Sequence, residues 1–109
     1  MAGESPIFVK CKVFMIWMMQ HTANFPRNER FRLAKHIDDA LFAFYICLLR
    51  AVEGNAQTHL KEANFCLNQI RFYLQIAVEL HYTTSKQYLF ASAYTVELGR
   101  LIGGWLKKA

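Results

Sequence analysis

The strongest constraint on this sequence is a helical repeat of apolar residues that continues for about five turns. Within residues 56–81 these residues recur at intervals of three and four, at Leu60, Ala63, Leu67, Ile70, Leu74 and Ala77. This spacing places all of them on one side of an α-helix, because a helix completes a turn every 3.6 residues. Alternation with a period of two, which half-buried strands require, occurs nowhere in the chain. The sequence therefore predicts an all-α protein.

Few residues interrupt the helical pattern, and their positions divide the chain into four segments. Pro6 suits the first turn of a helix, whereas Pro26 disfavours a helical conformation at the residue before it. Gly54 ends the second segment, and the hydroxyl residues Thr83–Ser85 form a turn that can cap a fourth helix. The predicted helices span residues 7–22, 28–53, 56–81 and 86–107, with Asn28 as the N-cap of the second. Four such helices predict a single domain, residues 1–109, folded as an up-down-up-down antiparallel four-helix bundle.

The second and fourth segments also have an apolar face that can enter the bundle core. In the second segment this face consists of Ala34, Ile37, Leu41, Phe44, Leu48 and Val52. In the fourth segment it consists of Ala91, Tyr94, Leu98, Leu101, Ile102 and Trp105. The charged residues of the second segment lie on the opposite side, as an amphipathic helix requires.

Apolar residues also occur outside these core faces. Hydrophobic residues make up 54% of the 109 residues, and a domain this small buries only about two-thirds of the surface that its unfolded chain exposes. The surplus recurs on three helices, which favours a subunit interface over a solitary bundle. A Gly-x-x-x-Gly spacing on the fourth helix adds a place of close approach, either within the bundle or between subunits. We therefore predict an oligomer interface at Phe42, Ile46, Phe65, Phe72, Ile76, Leu89, Val96, Gly99 and Gly103.

The sequence contains no pattern that predicts an enzyme, a metal site or a cofactor. No two of the four histidines have the i, i+4 spacing of a helical metal site, and the Glu-x-x-His motif of di-iron bundles is absent from the sequence. His21 and His81 can meet at one end of the bundle, although ordinary cap or surface positions explain them better. Asp38 and Asp39 are adjacent, so they point about 100° apart on a helix and cannot share a proton.

Cysteine usage and the length of the apolar runs indicate a cytoplasmic protein without a membrane partner. Cys11, Cys47 and Cys66 are odd in number and form no Cys-x-x-Cys motif, which is typical of reduced, mostly buried thiols. The longest apolar run, Val13–Met19, is much shorter than the roughly 18 residues that a membrane span needs. No signal peptide is expected, since no small-residue cleavage site follows the apolar run.

Basic residues outnumber acidic ones and suggest a polyanionic partner. Thirteen Lys and Arg residues against eight Asp and Glu residues give a formal net charge of +5. The densest stretch is Arg27–Lys35, which an antiparallel bundle would place at the same end as Lys86; within it, Lys35 is expected to pair with Asp39. Assembly of several subunits would multiply the charge and favour phosphate binding. The predicted residues for binding nucleic acid or a protein partner are Arg27, Arg30, Arg32, Lys35, Arg71, Lys86, Arg100, Lys107 and Lys108.

Two segments resemble a family of small four-helix-bundle proteins. Residues 25–34, Phe-Pro-Arg-Asn-Glu-Arg-Phe-Arg-Leu-Ala, resemble the start of helix two in this family. The family contains the accessory variability determinant (Avd) proteins of diversity-generating retroelements and relatives encoded by intervening sequences of bacterial ribosomal RNA genes. Residues 97–107, Glu-Leu-Gly-Arg-Leu-Ile-Gly-Gly-Trp-Leu-Lys, resemble the Avd branch in particular. The ribosomal branch usually has Asn-Ile-Ala-Glu-Gly after helix two, of which residues 51–54 keep only the Ala-x-Glu-Gly frame.

The resemblance extends from about Val9 to Lys108 and implies a function. It implies a homopentameric, barrel-like ring that binds a reverse transcriptase and RNA or DNA, supports mutagenic retrohoming, and has no catalytic activity of its own. Only Arg100 lies within the matching C-terminal element; the other binding residues are chosen on charge. Two alternatives remain, namely a ribosomal intervening-sequence protein with the same fold and a structural oligomer whose charge serves solubility.

Overall fold

The computed structural model describes residues 5–109, which form four α-helices joined by short connections. α1 spans Pro6–Thr22, α2 Leu33–Glu53, α3 Ala56–Glu79 and α4 Ser85–Lys108, and a 3-10 helix, Arg27–Glu29, lies between α1 and α2. Residues 5–109 include no β-strand. The prediction of an all-α fold with four helices is therefore confirmed. None of the helices in this part of the chain combines the length and the apolarity needed to cross a membrane.

Neighbouring helices run in opposite directions. Phe14 of α1 stacks on Tyr94 of α4 with ring centroids 5.7 Å apart, and the later α1 residue Trp17 meets the earlier α4 residue Phe90 at 4.9 Å. The same reversed order relates α1 to α2, in the pairs Phe8–Tyr45 and Thr22–Asp38, and α3 to α4, in the pairs Arg71–Thr95 and Gln57–Leu106. The connection between α1 and α2 and the one between α3 and α4 therefore share one end of the bundle, called the Pro26 end. The α2–α3 connection, the start of α1 and the end of α4 share the other, called the Gly54 end.

The core lies between the apolar faces of the four helices. All six α3 residues that the repeat of three and four placed together are buried. The expectation that Val52 belongs to the α2 face is wrong, since its side chain is 48% exposed and Ala51 is buried instead. The core face of α2 follows buried residues at intervals of four and three, namely Ile37, Leu41, Phe44, Leu48 and Ala51. The next interval, of three, therefore leads to residue 51 and not to residue 52. Val52 consequently points to the outer side of the bundle.

α2 begins later than the sequence indicated. Asn28 is not the N-cap of a long second helix, because residues 27–29 form a separate 3-10 helix and Arg32, at φ −118° and ψ −109°, lies outside helical geometry. The first backbone N–H of α2, that of Leu33, is 3.4 Å from a carboxylate oxygen of Glu29. The side chain of Glu29, one turn earlier, thus takes the capping role predicted for Asn28.

The α3–α4 connection confirms the predicted hydroxyl cap. The Thr84 hydroxyl accepts a hydrogen bond from the Gln87 backbone N–H at 3.1 Å, and the Gln87 side chain accepts one from the Thr84 N–H at 2.9 Å. This reciprocal pair is a capping box. α3 ends before the predicted residue 81, because His81 adopts a left-handed conformation with φ 65° and the Tyr82 N–H turns back to the Ala77 carbonyl at 2.8 Å.

Candidate interaction surfaces

A buried carboxylate organises the Pro26 end. Glu29, the one acidic residue in the stretch 27–35, keeps only 2% of its surface exposed. Its Oε2 accepts a hydrogen bond from the Tyr82 hydroxyl at 2.8 Å, and its Oε1 faces the Leu33 N–H. A negative charge is favourable there, because the N-terminal N–H groups of a helix are unpaired. The hydrogen bond to the carboxylate raises the pKa of Tyr82. This arrangement explains the Phe-Pro-x-x-Glu element, in which Phe25 is also buried.

The outer surface of the same turn is cationic because Glu29 points inward. Arg27 and Arg30 are both exposed, and within residues 5–109 neither forms an ion pair. They lie three residues apart, a spacing that aligns side chains on one side of a 3-10 turn. Both line a groove of about 430 Å³ beside the end of α1. The two guanidinium groups are therefore available to an anionic partner.

The other three predicted cations of the Pro26 end differ in how far their charge is offset. Arg32 Nε lies 3.6 Å from Glu29 Oε1. Lys35 Nζ lies 2.7 Å from Asp39 Oδ2, which confirms the predicted ion pair. Lys86 is exposed in the first turn of α4, and within residues 5–109 it has no ion pair. The bundle therefore brings all five cations to one end, but Arg27, Arg30 and Lys86 contribute most of its unbalanced charge.

An exposed aromatic residue lies among these cations. Phe31 is 78% exposed, more than any other large apolar side chain among residues 5–109. It stands between Arg30 and Arg32 in the turn before α2. Phe31 is missing from the predicted binding residues because those residues were chosen on charge. The Arg-Phe-Arg triplet was the available signal, since aromatic rings beside cations are typical of surfaces that bind single-stranded nucleic acid.

Two polar contacts stabilise the helix ends nearby. His21 Nε2 lies 2.8 Å from Thr83 Oγ1, and the imidazole stacks on Trp17 with ring centroids 5.0 Å apart. Burial lowers the pKa of His21, which favours the neutral ring. The Thr22 hydroxyl donates to Asp38 Oδ1 at 2.9 Å, and burial raises the pKa of Asp38.

Among the described residues, no group of three or more His, Cys, Asp and Glu side chains is arranged to hold a metal ion.

The three thiols are free and poorly suited to nucleophilic chemistry. Cys11 and Cys66 are buried, as predicted, and Cys47 is partly buried. Burial raises the pKa of Cys11 to about 12 and that of Cys66 to about 11, and it also raises the pKa of Cys47. Because the thiolate is the reactive form, these side chains remain protonated and unreactive near neutral pH.

A groove at the Gly54 end joins α1, α2 and α4. Its volume is about 650 Å³, and its apolar lining includes Ile7, Phe8, Val52, Leu101 and Trp105. Arg100 and Lys108 are the charged residues of the lining, and Gly104 also borders the groove. A Cβ atom at Gly104 would meet no other atom within 4 Å. The C-terminal element that resembles the Avd branch therefore supplies much of one wall of this groove.

The remaining predicted cations at the Gly54 end lie on α4. Arg100 Nε and Nη2 donate to the Glu97 carboxylate at 3.0 and 2.6 Å, and this pairing lowers the pKa of Glu97. The guanidinium is thereby held in one orientation beside the groove. Lys107 and Lys108 are exposed in the last turn of α4. Eight of the nine predicted cations therefore form one group at each end of the bundle, and the ninth, Arg71, lies between α3 and α4.

Arg71 links α3 to α4. Its Nε and Nη2 donate to the Thr95 hydroxyl at 3.1 Å and the Thr95 carbonyl at 2.9 Å, and its Nη1 donates to Asn68 Oδ1 at 2.8 Å. A Cβ atom at Gly99 would lie 3.5 Å from Arg71 Nη2, whereas one at Gly103 would meet open space. The contact at Gly99 is an ordinary van der Waals distance, so among the described residues neither glycine marks a close approach within the bundle.

The apolar residues predicted for an oligomer interface lie mostly on the surface. Six are exposed, and Leu89 at 68% is the most exposed of them; Ile76 is partly buried. The six exposed residues are Phe42, Ile46, Phe65, Phe72, Leu89 and Val96. They are distributed over α2, α3 and α4, so the bundle presents apolar surface on more than one side.

α1 adds an apolar stripe that is missing from the predicted interface. Val9, Val13, Ile16 and Met19 are exposed along the helix, while its other side enters the core. A helix that is apolar all round normally has both sides covered. The unbroken apolar run Val13–Met19 is the sequence signal for this stripe.

Comparisons with known proteins agree with this description of the fold and motifs. A model of the bAvd-like family matches residues 7–109. Comparison with curated proteins and with solved structures gives no match. The family match includes all four helices, the Phe-Pro-x-x-Glu turn and the C-terminal element that lines the groove. The chain therefore belongs to the bAvd-like family.

Proposed function

We propose that this protein is a non-enzymatic accessory protein of a diversity-generating retroelement, in which it binds the reverse transcriptase and the template RNA or its cDNA. The family match over residues 7–109 carries the proposal. The sequence of residues 97–107 supports the Avd branch over the ribosomal intervening-sequence branch.

We assign nucleic-acid binding to the Pro26 end, through phosphate contacts. The inward Glu29 leaves Arg27 and Arg30 without an ion pair among the described residues, and the exposed ring of Phe31 offers a surface on which a base can stack. Phosphate contacts of this kind bind without reading sequence. Lys35 and Arg32 contribute less because each has an acidic neighbour. Arg71 is left out of this surface because its guanidinium bonds to α4.

We propose that several copies assemble into a closed ring, as a pentamer. Exposed apolar residues on α1 and α2 and on α3 and α4 would be covered by neighbouring subunits. A contact between two different faces repeats from copy to copy and closes into a ring when the rotation permits. Each subunit contributes a net charge of +5, so assembly concentrates positive charge and strengthens long-range attraction of phosphates.

Fluorescence anisotropy with a labelled single-stranded RNA tests the nucleic-acid surface. The double variant Arg27→Glu/Arg30→Glu should weaken binding by about a hundredfold and reduce the salt dependence, because fewer counterions are released. The control Arg50→Glu/Lys61→Glu makes the same change in net charge with exposed residues elsewhere, and it should retain most of the affinity. Phe31→Leu keeps apolar bulk but removes the aromatic face, so it should weaken binding about fivefold or more.

The outcome separates local from general charge effects. Equal losses in both double variants would mean that only the net charge matters and would refute a site at the Pro26 end. Wild-type protein that fails to bind RNA at low salt would refute the nucleic-acid part of the proposal. A gene position inside a ribosomal RNA gene, without a reverse transcriptase gene nearby, would refute the retroelement assignment.

A further inference from the structure

We infer that the groove at the Gly54 end binds apolar side chains of an acidic segment of the reverse transcriptase. This inference rests on the proposed function and assigns its protein partner to a particular place on the bundle. The groove lies at the opposite end from Arg27 and Arg30, so enzyme and nucleic acid can be held by one subunit without competing for the same residues.

The size and lining of the groove suit a protein side chain. Its volume of about 650 Å³ is within the roughly 300–1,000 Å³ range of binding pockets. Ile7, Val52 and Leu101 supply aliphatic surface, and Trp105 supplies a large aromatic one. Protein interfaces concentrate their binding energy where an apolar anchor fills such a pocket. A nucleobase fits this lining less well, because its polar edges would face aliphatic side chains.

The charges beside the groove select an acidic partner. Arg100 and Lys108 are its charged lining residues, and none of its lining residues is acidic. Glu97 pairs with Arg100 through two hydrogen bonds and offsets part of its charge, and the Arg100 side chain stays 67% exposed. Lys108 forms no ion pair with the described residues, so it contributes most of the unbalanced positive charge beside the groove. Carboxylates that flank an apolar anchor would meet both cations. A second copy of this chain would bring a net charge of +5 toward these cations, so the contacts between subunits are assigned to the exposed apolar faces of the helices and not to this groove.

Gly104 allows the groove to be filled without disturbing the helix. A Cβ atom there meets nothing within 4 Å, and its φ lies outside the left-handed region that favours glycine. Both Gly104→Ala and Gly104→Leu restrict the backbone and improve helix propensity. Gly104→Ala adds only a methyl group, whereas Gly104→Leu adds a side chain that occupies the groove. The two variants therefore differ mainly in the free volume of the groove.

The test measures binding of the reverse transcriptase of the same element by biolayer interferometry. Gly104→Ala should bind within about threefold of wild type, and Gly104→Leu should bind at least about tenfold more weakly. RNA affinity should be the same for all three proteins. The chain has two Trp residues, so ¹⁹F NMR of protein labelled with 5-fluorotryptophan gives two signals. Addition of the enzyme should shift the Trp105 signal and leave that of Trp17 in place.

Each other outcome overturns a defined part of the inference. Equal binding of all three proteins to the enzyme refutes the groove and leaves the proposed function intact. Wild-type protein that does not bind the enzyme refutes the proposed partner and this inference with it. If Gly104→Leu lowers the assembled mass, the groove belongs to a subunit contact; if it lowers RNA affinity, the groove belongs to nucleic acid.

Discussion

Replacement of Arg71 tests whether this cation serves the fold or a partner. Its charge alone made it a predicted binding residue, but its guanidinium donates two hydrogen bonds to Thr95, which is fully buried. Arg71→Met removes these bonds and the charge while it keeps an unbranched stem of similar reach. We expect this variant to lose thermal stability and to keep its affinity for RNA.

The expected loss follows from the geometry of the bonds. A hydrogen bond from a charged group contributes about 1.5–3 kcal/mol to stability. Because Arg71 is only partly buried, we assign the value of one such bond, about 1.5–3 kcal/mol, to the two bonds to Thr95 together. The exposed bond to Asn68 adds little. An unfolding entropy of roughly 2.1 cal/mol/K per residue converts this loss into a fall in Tm of about 7–13 °C for a chain of this length.

Thermal unfolding followed by circular dichroism at 222 nm measures this fall. All samples need the same subunit concentration, because association makes Tm depend on concentration. Arg50→Met is the matched control, since Arg50 is exposed on α2 and, among the described residues, makes no side-chain hydrogen bond. Its Tm should stay within about 2 °C of wild type. An Arg71→Met variant with unchanged Tm and weaker RNA binding would refute the structural role.

Two further predictions concern pH and assembly. Burial lowers the pKa of His21 below its usual 6.5, so the unfolded chain takes up a proton at a higher pH than the folded protein does. The free energy of unfolding should therefore fall as the pH drops from about 7.5 to about 5.5. Chemical denaturation measures this free energy, and His21→Gln should flatten its dependence on pH. The raised pKa of Asp38 has the opposite effect, since it stabilises the folded protein as the pH falls. A wild-type free energy of unfolding that increases as the pH drops from about 7.5 to about 5.5 would contradict the assignment to His21. The exposed apolar residues predict an assembled mass several times 12.7 kDa in light scattering, and Phe72→Asp/Leu89→Asp should reduce it while the helices stay folded, because both positions are exposed. A monomeric wild type at micromolar concentration would refute assembly through these faces.

The sequence predicted the fold because helix formation and burial follow a local period. Leu60, Leu67 and Leu74 recur at the interval of two helical turns, and all three are buried. The Thr84–Gln87 capping box is equally local, since both partners lie within one turn. The period was less informative for α1, where apolar residues surround the helix and no single core face stands out.

The tertiary structure decided which charged and polar groups remain exposed on the surface. Glu29 is buried beside Tyr82, which lies 53 residues later in the sequence and donates a hydrogen bond to its carboxylate. Arg71 bonds within the bundle because α4 places Thr95 beside it. The groove at the Gly54 end likewise depends on α1, α2 and α4 meeting at one place. Periodicity within one helix carries the information for burial, but contacts between residues distant in sequence depend on how the helices pack. The sequence by itself therefore determined an all-α bundle and its family, and only the packed structure separated Arg71, which bonds to α4, from the cations that are exposed on the surface.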